Sequence, residues 1–283
     1  MILCSYLSAA PISIKETLSE KNKLRLTTQF SYINIKNKNT EAGTIAYQLS
    51  DNSFIPIPIL NMQDLNQDYL NANFSIRYGI TDRIEIFSSV NGYYQHTKIS
   101  NMNKTFSSIN SGNFGNWNLG VVFQIKKEDR FPSLFAGFTT DIMKTSTFKN
   151  KSKLDSFSAY NVFLSSFYTV DPIVFFVQAS LFFNLDNKFQ NSTFVYGKIF
   201  TLNPMIYFAI NPSISLNVGV KYYYKTADKI NHKVIATEGS SIGYNFGLSY
   251  EATQKLFVFF NVENLNTSSY INNNLNLSFL YKF

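Results

Sequence analysis

The last ten residues of the chain, Asn274-Leu-Asn-Leu-Ser-Phe-Leu-Tyr-Lys-Phe283, alternate between an apolar and a mostly polar series. Successive side chains of a strand point to opposite faces, so the alternation predicts one apolar face and one mostly polar face. The apolar face holds Leu275, Leu277, Phe279, Tyr281 and Phe283. About ten residues is also the length that a tilted strand needs to cross a bilayer. The stretch therefore predicts a membrane-spanning strand.

The same stretch resembles the C-terminal signal by which bacterial outer-membrane barrels are handed to their assembly machinery, because its alternation ends in a Phe. The resemblance implies that the barrel assembly machinery is a partner and that the five apolar residues named above form the assembly signal. On this stretch alone, a soluble barrel with an alternating last strand is the alternative.

The composition of the whole chain agrees with a membrane protein built from strands. Of its 283 residues, 28 are Phe and 18 are Tyr, and aromatic residues favour strands and membrane interfaces. No apolar run reaches the roughly 18 residues that a membrane helix needs. Because every backbone polar group must be paired in lipid, strands that span a membrane have to close into a barrel.

The charged residues and the cysteine count exclude several classes of site. The formal charge is +7, but no run of five or more Lys and Arg occurs, so we expect no nucleic-acid partner. Cys4 is the only cysteine, which excludes an internal disulfide and a thiolate metal site. No His, Asp and Glu cluster has metal-ligand spacing, and no glycine-rich phosphate loop occurs. We therefore expect no metal and no cofactor.

The N-terminal residues 2–10 resemble the apolar end of a secretory signal before a small-residue cleavage site. The usual basic residues are missing and Pro11 follows directly, so either translation starts further upstream or the segment is not a signal. We predict a residual signal peptide over residues 1–10, an N-terminal lead-in over 11–23 and an outer-membrane barrel over 24–283.

Strand-like alternation appears in twelve stretches of the chain. They are residues 24–33, 69–79, 83–95, 115–125, 133–143, 158–169, 173–183, 196–210, 213–224, 241–251, 255–263 and 274–283. The links between them alternate strictly between short and long, as in a barrel with tight periplasmic turns and longer external loops. The long links are rich in Asn, Ser, Lys and Thr, so we expect solvated loops, the link 34–68 among them. The alternation leaves the strand faces between about 133 and 210 unassigned.

The fold class predicted by this layout is all-β: an antiparallel up-and-down transmembrane β-barrel of about twelve strands. We expect the barrel in the cell outer membrane, surrounded by outer-membrane lipid. An even number of strands places both termini on one side, which we predict to be the periplasmic side.

Two hairpins allow their register to be predicted. A three-residue loop at Ile80–Asp82 pairs odd numbers with odd numbers and places Arg77 opposite Glu85. The same arithmetic at the last turn places Glu251 opposite Lys255. We expect the Arg77–Glu85 pair in an open, wet lumen, where removing it costs little stability. In a plugged lumen, Arg77→Ala would instead leave Glu85 as an unpaired buried charge and destabilise the barrel. Ordinary cross-strand pairing without a role in transport is the alternative.

The first of these hairpins also carries a family resemblance. The stretch Ile76-Arg-Tyr-Gly-Ile-Thr-Asp-Arg-Ile-Glu-Ile86 resembles the strand–turn–strand signature of an outer-membrane transporter family named after the meta-pathway of phenol degradation. The match covers these eleven residues, and the aromatic-ended last strand agrees with it. The resemblance implies a barrel that moves small compounds, with aromatic compounds as candidates.

The alternation assigns charged and aromatic residues to the inside of the barrel. The charged candidates for lining the lumen are Arg25, Arg77, Glu85, Lys221, Glu251, Lys255 and Glu263. The aromatic residues with the same orientation are Phe87, Phe257, Phe259 and Tyr223, either as packing or as surfaces for aromatic solutes. A polar interior is typical of a channel, but in a narrow barrel such residues can also fill the lumen.

Three classes of function remain, ranked by how well the sequence supports them. The first is a passive channel or transporter for small solutes, with aromatic or hydrophobic compounds as candidates. The second is a structural, adhesive or secretion-type barrel with a plugged lumen. The third is an outer-membrane lipid hydrolase, which needs a His beside a nucleophilic Ser. The only histidines, His96 and His232, both fall in predicted long links, so we predict no enzyme.

Overall fold

The structure is a computed structural model of the chain. It describes residues 18–37, 43–49, 52, 54–59, 66–100, 106–148, 151–189, 192–267 and 270–283. The predicted signal residues 1–10, Cys4 among them, and residues 11–17 of the lead-in lie outside this part of the chain. Within the described ranges, no helix has the length and apolar character required to cross a membrane.

The described residues are organised as strands joined by turns and loops. In chain order the strands are β1 (Leu24–Asn37), β2 (Gly43–Gln48), β3 (Phe54–Ile59), β4 (Asn66–Thr81), β5 (Ile84–Ser100), β6 (Phe106–Lys126), β7 (Leu134–Phe148), β8 (Lys151–Asp155), β9 (Ala159–Val170), β10 (Ile173–Asn184), β11 (Asn187–Phe189), β12 (Ser192–Val195), β13 (Ile199–Asn211), β14 (Ile214–Lys225), β15 (Asp228–Ile230), β16 (Lys233–Ala236), β17 (Gly239–Thr253), β18 (Leu256–Asn266) and β19 (Tyr270–Lys282).

Twelve of these strands form one closed antiparallel barrel, as predicted. Their order around the wall is β1, β4, β5, β6, β7, β9, β10, β13, β14, β17, β18 and β19, and β19 pairs again with β1. The first and last strands meet at one end, where the Phe283 N–H donates to the Leu24 carbonyl over 3.1 Å. We call this end, which also carries the short turns, the turn end. The opposite end is the loop end.

The two faces of the wall follow the alternation of the sequence. The outer face is apolar over most of the barrel height, with exposed residues that include Phe30, Leu70, Phe74, Ile76, Ile86, Val90, Leu119, Val162, Leu164, Phe175, Val177, Ile206, Val218, Val220, Phe246, Phe260, Leu275 and Leu277. Within the stretch 133–210, where the alternation was ambiguous, the structure places Val162 and Ile206 outside. A continuous apolar outer surface of this kind suits contact with lipid.

The register of the first hairpin corrects the prediction. Arg77 pairs with Phe87, and Glu85 pairs with Gly79, so odd residues still face odd residues but the partners are shifted by two. The reason is local: the turn consists of Asp82 and Arg83 alone, and a bulge between Gly79 and Thr81 absorbs the extra residue.

The last hairpin departs from the prediction for the same reason. Glu251 pairs with Phe257, a bulge follows between Glu251 and Thr253, and Lys255 lies in the turn. Lys255 is exposed there and does not line the lumen.

Several predicted loops contain strands. β5 continues to Ser100 and β6 begins at Phe106, so most of the predicted link 96–114 belongs to the barrel wall. Ladder pairing continues there because backbone groups pair regardless of side-chain polarity. At the loop end, β11, β12, β15 and β16 form a separate sheet of four strands, which we call the loop sheet. The predicted strand 196–210 begins only at Ile199, three residues after β12 of this sheet ends at Val195.

Candidate functional site

Six of the seven charged lumen candidates lie on the inner face of the barrel. They are Arg25, Arg77, Glu85, Lys221, Glu251 and Glu263, and Lys255 is the exception described above. The structure groups these residues differently from the sequence. Arg25, Arg77 and Glu85 meet near the turn end, whereas Lys221 and Glu263 meet in the half of their strands that lies toward the loop end.

The charge cluster near the turn end is dry. Glu85 is fully buried and Arg25 is 3% exposed, while Arg77 is 14% exposed. An Arg25 nitrogen (Nη2) lies 3.3 Å from Glu85 Oε2, and Arg77 Nε lies 3.1 Å from Glu85 Oε1. The Arg77 guanidinium also lies over the ring of Phe87, 4.9 Å from its centroid. The expectation of a wet environment for this pair is therefore wrong, because the N-terminal segment covers it.

Residues 18–23, assigned by sequence to an unpatterned lead-in, dock inside the turn end. The backbone N–H and the hydroxyl of Ser19 both donate to Glu85 Oε2 at 2.6 Å, and Arg25 Nε donates to the Ser19 hydroxyl at 2.8 Å. Leu18 packs against a buried group of apolar side chains on β5, β6, β7 and β9. The segment thus lies against one side of the lumen near this end.

Gly79 provides the space for that segment. The Asn22 N–H donates to the Gly79 carbonyl at 2.8 Å, and the Gly79 N–H donates to the Lys23 carbonyl at 3.1 Å. A Cβ at Gly79 would lie 2.1 Å from the Glu20 carbonyl oxygen, so any side chain here would displace the segment. Arg77, Gly79 and Glu85 all belong to the eleven-residue signature. Gly79 and Glu85 contact the N-terminal segment directly, and Arg77 contacts Glu85.

The inner side of β4 to β9 is closely packed. Phe87 lies over Gly120 and Phe163 over Gly137, and a Cβ at either glycine would lie about 2 Å from the ring (2.2 and 2.1 Å). The part of this wall that lies toward the turn end is therefore filled by packed apolar side chains. Phe87 and Phe257, two of the inward aromatic residues, are buried, and no more than 3% of either is exposed. In these positions they act as packing.

The opposite wall is accessible in part. A set of inward-facing side chains there remains partly exposed, and we call it the accessible strip: Phe176, Gln178, Asn203, Met205, Tyr207, Asn245, Phe259, Asn261, Glu263 and Asn276. Three aromatic members, Phe176, Tyr207 and Phe259, lie nearest the turn end. The amides lie further along the strands toward the loop end. The alternation predicted Glu263 and Phe259 in the lumen, but it is ambiguous in β10 and β13, so it did not indicate Gln178 and Asn203.

An inner hairpin, β2 and β3, crosses the lumen above this strip. On one side, the Tyr47 hydroxyl donates to Asn276 Oδ1 and accepts from Asn274 Nδ2, each at 2.7 Å, on β19. On the other side, Asn161 Nδ2 donates to the Asn52 carbonyl at 2.7 Å, and Gln178 Nε2 donates to Asn52 Oδ1 at 2.8 Å. Because β19 lies across the barrel from β9 and β10, these bonds fasten the hairpin to opposite walls.

The inner hairpin also forms the apolar core of the loop end. Tyr47, Leu49, Phe54 and Ile57 are buried together with wall residues, and Phe54 stacks on Phe182 at 4.7 Å. The expectation that the link 34–68 is a solvated loop is therefore wrong for its described residues. Its apolar side chains find a dry environment only inside the barrel, where they exclude water.

The loop sheet and its anchors cover the same end. Asp228 Oδ1 accepts the Gly197 N–H at 2.7 Å, and Lys225 contacts the other oxygen of the same carboxylate. Lys144 Nζ donates to Asn184 Oδ1 at 2.7 Å and lies 5.6 Å from the ring of Tyr196. Burial raises the pKa of Tyr196, which lies outside the barrel strands, to about 12. These contacts hold the loops in one arrangement.

The described residues offer little that resembles a catalytic or metal centre. His96 lies on β5, where its Nδ1 contacts Asn110 Oδ1 on β6, and His232 is exposed in the turn between β15 and β16. In the described ranges, no group of three or more His, Cys, Asp or Glu side chains has a geometry that suits a metal ion.

Comparison with known proteins gives structural likeness only. No family model matches the chain, and no curated protein matches it. An outer membrane channel from Pseudomonas putida F1 is similar with a TM-score of 0.64 at 12% identity, covering 91% of this chain and 95% of that one. The translocator domain of the autotransporter NalP from Neisseria meningitidis has a TM-score of 0.56 at 9% identity, covering 96% and 92%. The CymD monoaromatic hydrocarbon channel has a TM-score of 0.50 at 8% identity, covering 93% and 89%. At these identities the likeness establishes the barrel fold.

Proposed function

We propose that the chain is an outer-membrane barrel that acts as a passive channel for small solutes, with aromatic or hydrophobic compounds as candidates. The observation that carries this proposal is the accessible strip. A barrel with a purely structural role gains stability by filling its interior, yet this wall keeps ten inward side chains partly exposed. Polar side chains that stay accessible inside a membrane barrel favour a path for solutes.

The inner hairpin is the closing element of this channel. It lies directly on the strip, because Asn276 and Gln178 belong to the strip and also bond to Tyr47 and Asn52. Solutes therefore pass only when these bonds break and the hairpin moves. The outer-membrane location follows from the apolar outer face together with the closed barrel. The turn end, where the first described residues and Phe283 lie, would then face the periplasm.

Further partners follow from the same proposal. Outer-membrane lipid would contact the outer face, and the barrel assembly machinery would bind the terminal strand. We also propose that the chain is related to the outer-membrane transporter family whose strand–turn–strand signature residues 76–86 resemble. Two of the similar structures are channels by name, one of them for monoaromatic hydrocarbons, and this likeness supports the kind of function proposed.

The test is the current through single barrels in a planar bilayer. Replacing residues 43–59 by a short Gly-Ser linker should convert rare openings into a steady current. As a matched control, the same linker in place of residues 229–235 removes part of the loop sheet and leaves the inner hairpin intact. A folded barrel that carries no current after removal of the hairpin would contradict the channel.

The second candidate is a structural or secretion-type barrel with a plugged lumen. The observation in its favour is the inner hairpin itself, which is fastened to opposite walls by four hydrogen bonds of 2.7 to 2.8 Å. The likeness to the translocator domain of an autotransporter agrees with it. The same bilayer experiment separates the two candidates.

A further inference from the structure

Lys221 and Glu263 neutralise each other in the half of their strands that lies toward the loop end. Lys221 Nζ lies 3.2 Å from Glu263 Oε1 and 3.1 Å from Glu263 Oε2, so it contacts both carboxylate oxygens. The two residues stand on β14 and β18, with β17 between them. Gly243 is the direct partner of Lys221 on β17 and places no side chain between the two charges. The two side chains therefore lie along the wall and form a direct ion pair.

The amides around this pair also lie along the wall. Asn245 Nδ2 donates to Asn203 Oδ1 at 2.9 Å, which joins β17 to β13 across β14. Asn217 and Asn261 meet over Gly247, where a Cβ would lie 2.0 Å from Asn261 Oδ1 and 2.6 Å from Asn217 Nδ2. The glycine allows these side chains to lie flat, so their amide groups border the passage without crossing it.

Buried amide atoms at this level have hydrogen-bonding capacity left over. Among the described residues, Asn217 Oδ1 and Asn245 Oδ1 have no partner, and neither has Asn73, which faces the same interior from β4. These atoms are shielded from solvent, so they belong to the packed wall, whereas the amide side chains of Asn203 and Asn261 stay partly exposed and can bind water or a passing solute. Because an amide both donates and accepts, it can bind a hydroxyl group in either role.

The electrostatics of the strip disfavour ions. Among its described members and the side chains that they contact, Lys221 and Glu263 are the formal charges at the amide level, and they cancel. At the amide level an ion has to give up water without meeting an unpaired opposite charge, which is costly in a narrow lumen. An uncharged hydroxyl group exchanges its water for amide partners at little cost.

We propose that the accessible strip selects uncharged solutes that carry hydroxyl groups beside a small apolar body, and that the Lys221–Glu263 pair enforces this neutrality. Phe176, Tyr207 and Phe259 offer an apolar surface to the body of the solute, while the amides of Asn203 and Asn261 bind its hydroxyl groups. The inference rests on the proposed channel function and specifies the solutes that it admits.

The experiment is swelling of liposomes that contain the full chain, with matched solutes. Phenyl glucoside is uncharged and phenyl glucuronide carries one carboxylate on the same frame. We expect swelling to be about tenfold faster in phenyl glucoside than in phenyl glucuronide, a ratio that corresponds to a modest difference in the free-energy barrier to entry. Methyl glucoside replaces the ring by a methyl group, and slower swelling than in phenyl glucoside would assign the apolar body to the aromatic residues. Equal swelling rates in methyl glucoside and phenyl glucoside would overturn the role of the aromatic residues.

Variants locate the selection in the pair. Glu263→Gln leaves the Lys221 charge without its carboxylate, so phenyl glucuronide should enter several-fold faster. The reversal potential in a salt gradient should shift to the value of an anion-selective channel. Lys221→Met should produce cation selectivity, and the double variant should return to the selectivity of the natural chain. Lys153→Gln at the loop end changes the same charge far from the strip and serves as the control. Gel mobility with and without heating verifies that each variant is folded.

The possible outcomes distinguish the selection of solutes from the existence of the channel. Equal swelling in phenyl glucoside and phenyl glucuronide would overturn the selection for neutral solutes while leaving a channel. Unchanged ion selectivity in both folded single variants would overturn the role of the pair. Swelling in none of the solutes, even after replacement of residues 43–59, would overturn the channel itself and this inference with it.

Discussion

Ser19 donates both its backbone N–H and its hydroxyl to one carboxylate oxygen of Glu85, each over 2.6 Å. The two residues are 66 positions apart, and the bond joins the segment before the barrel to the second strand of the signature hairpin. Glu85 is therefore an anchor for the N-terminal segment, and the guanidinium groups of Arg25 and Arg77 both contact its carboxylate.

The first prediction concerns this anchor. Glu85→Gln removes the carboxylate that two guanidinium groups contact in a dry site, so the free energy of unfolding should fall by about 3 kcal/mol or more. Arg77→Ala should cost less, about 1 kcal/mol, because Arg25 and Ser19 still contact Glu85. The measurement is unfolding in urea, followed by heat-dependent gel mobility. Glu238→Gln, at an exposed glutamate of the loop end, is the control. Small and equal losses for both variants would mean that Glu85 is solvated.

The second prediction concerns Gly79. Gly79→Ala places a Cβ 2.1 Å from the Glu20 carbonyl oxygen, so residues 18–23 should leave their site. Hydrogen exchange in a peptide that covers this segment should accelerate by about tenfold or more, since its amides lose protected partners. Gly239→Ala is a matched control, because a Cβ there meets nothing within 4 Å. Unchanged exchange in Gly79→Ala would show that the barrel wall shifts and that the segment stays docked.

The third prediction concerns the fastening of the inner hairpin. Tyr47→Phe removes the hydroxyl that bridges Asn274 and Asn276, at a cost of about 1 to 2 kcal/mol to the closed state. If the barrel is a channel, openings in a planar bilayer should become about tenfold more frequent. Tyr32→Phe removes a hydroxyl bond to Asp68 on the outer face and should leave the openings unchanged. Equal opening frequencies in Tyr47→Phe and the natural chain would exclude this bridge as a fastening.

The fourth prediction concerns the terminal strand. Phe283 is 54% exposed on the outer face, and its ring meets that of Tyr281 edge-on at 4.9 Å. Phe283→Asp should sharply reduce the amount of barrel in the outer membrane without impairing export across the inner membrane. Fractionation and heat-dependent gel mobility measure this amount. Phe131→Asp changes another exposed Phe, in a turn, and should be tolerated. Normal barrel levels in Phe283→Asp would exclude the terminal residue from the assembly signal.

Local patterns in the sequence were sufficient for the wall of the barrel. Alternation assigns each residue to a face because the side-chain period of a strand is two, and short and long links then specify an up-and-down order. The structure agrees for Phe74, Ile86 and Leu277, which lie outside, and for Arg25 and Asn73, which lie inside. The register of hairpins escaped prediction, because a bulge of one residue between Gly79 and Thr81 changes every pair beyond it.

Only the tertiary structure decided what fills the barrel. Ser19 and Tyr47 are single polar residues in segments without periodicity, and nothing in their neighbourhood indicates that they reach Glu85 and Asn276. Whether a loop stays in solvent or folds inward depends on the free energy of burying a few side chains against strands more than 200 positions away, such as Tyr47 against β19. Periodicity reports the orientation of a residue on its own strand. The contents of the lumen arise from contacts across it, which exist only once the wall has closed.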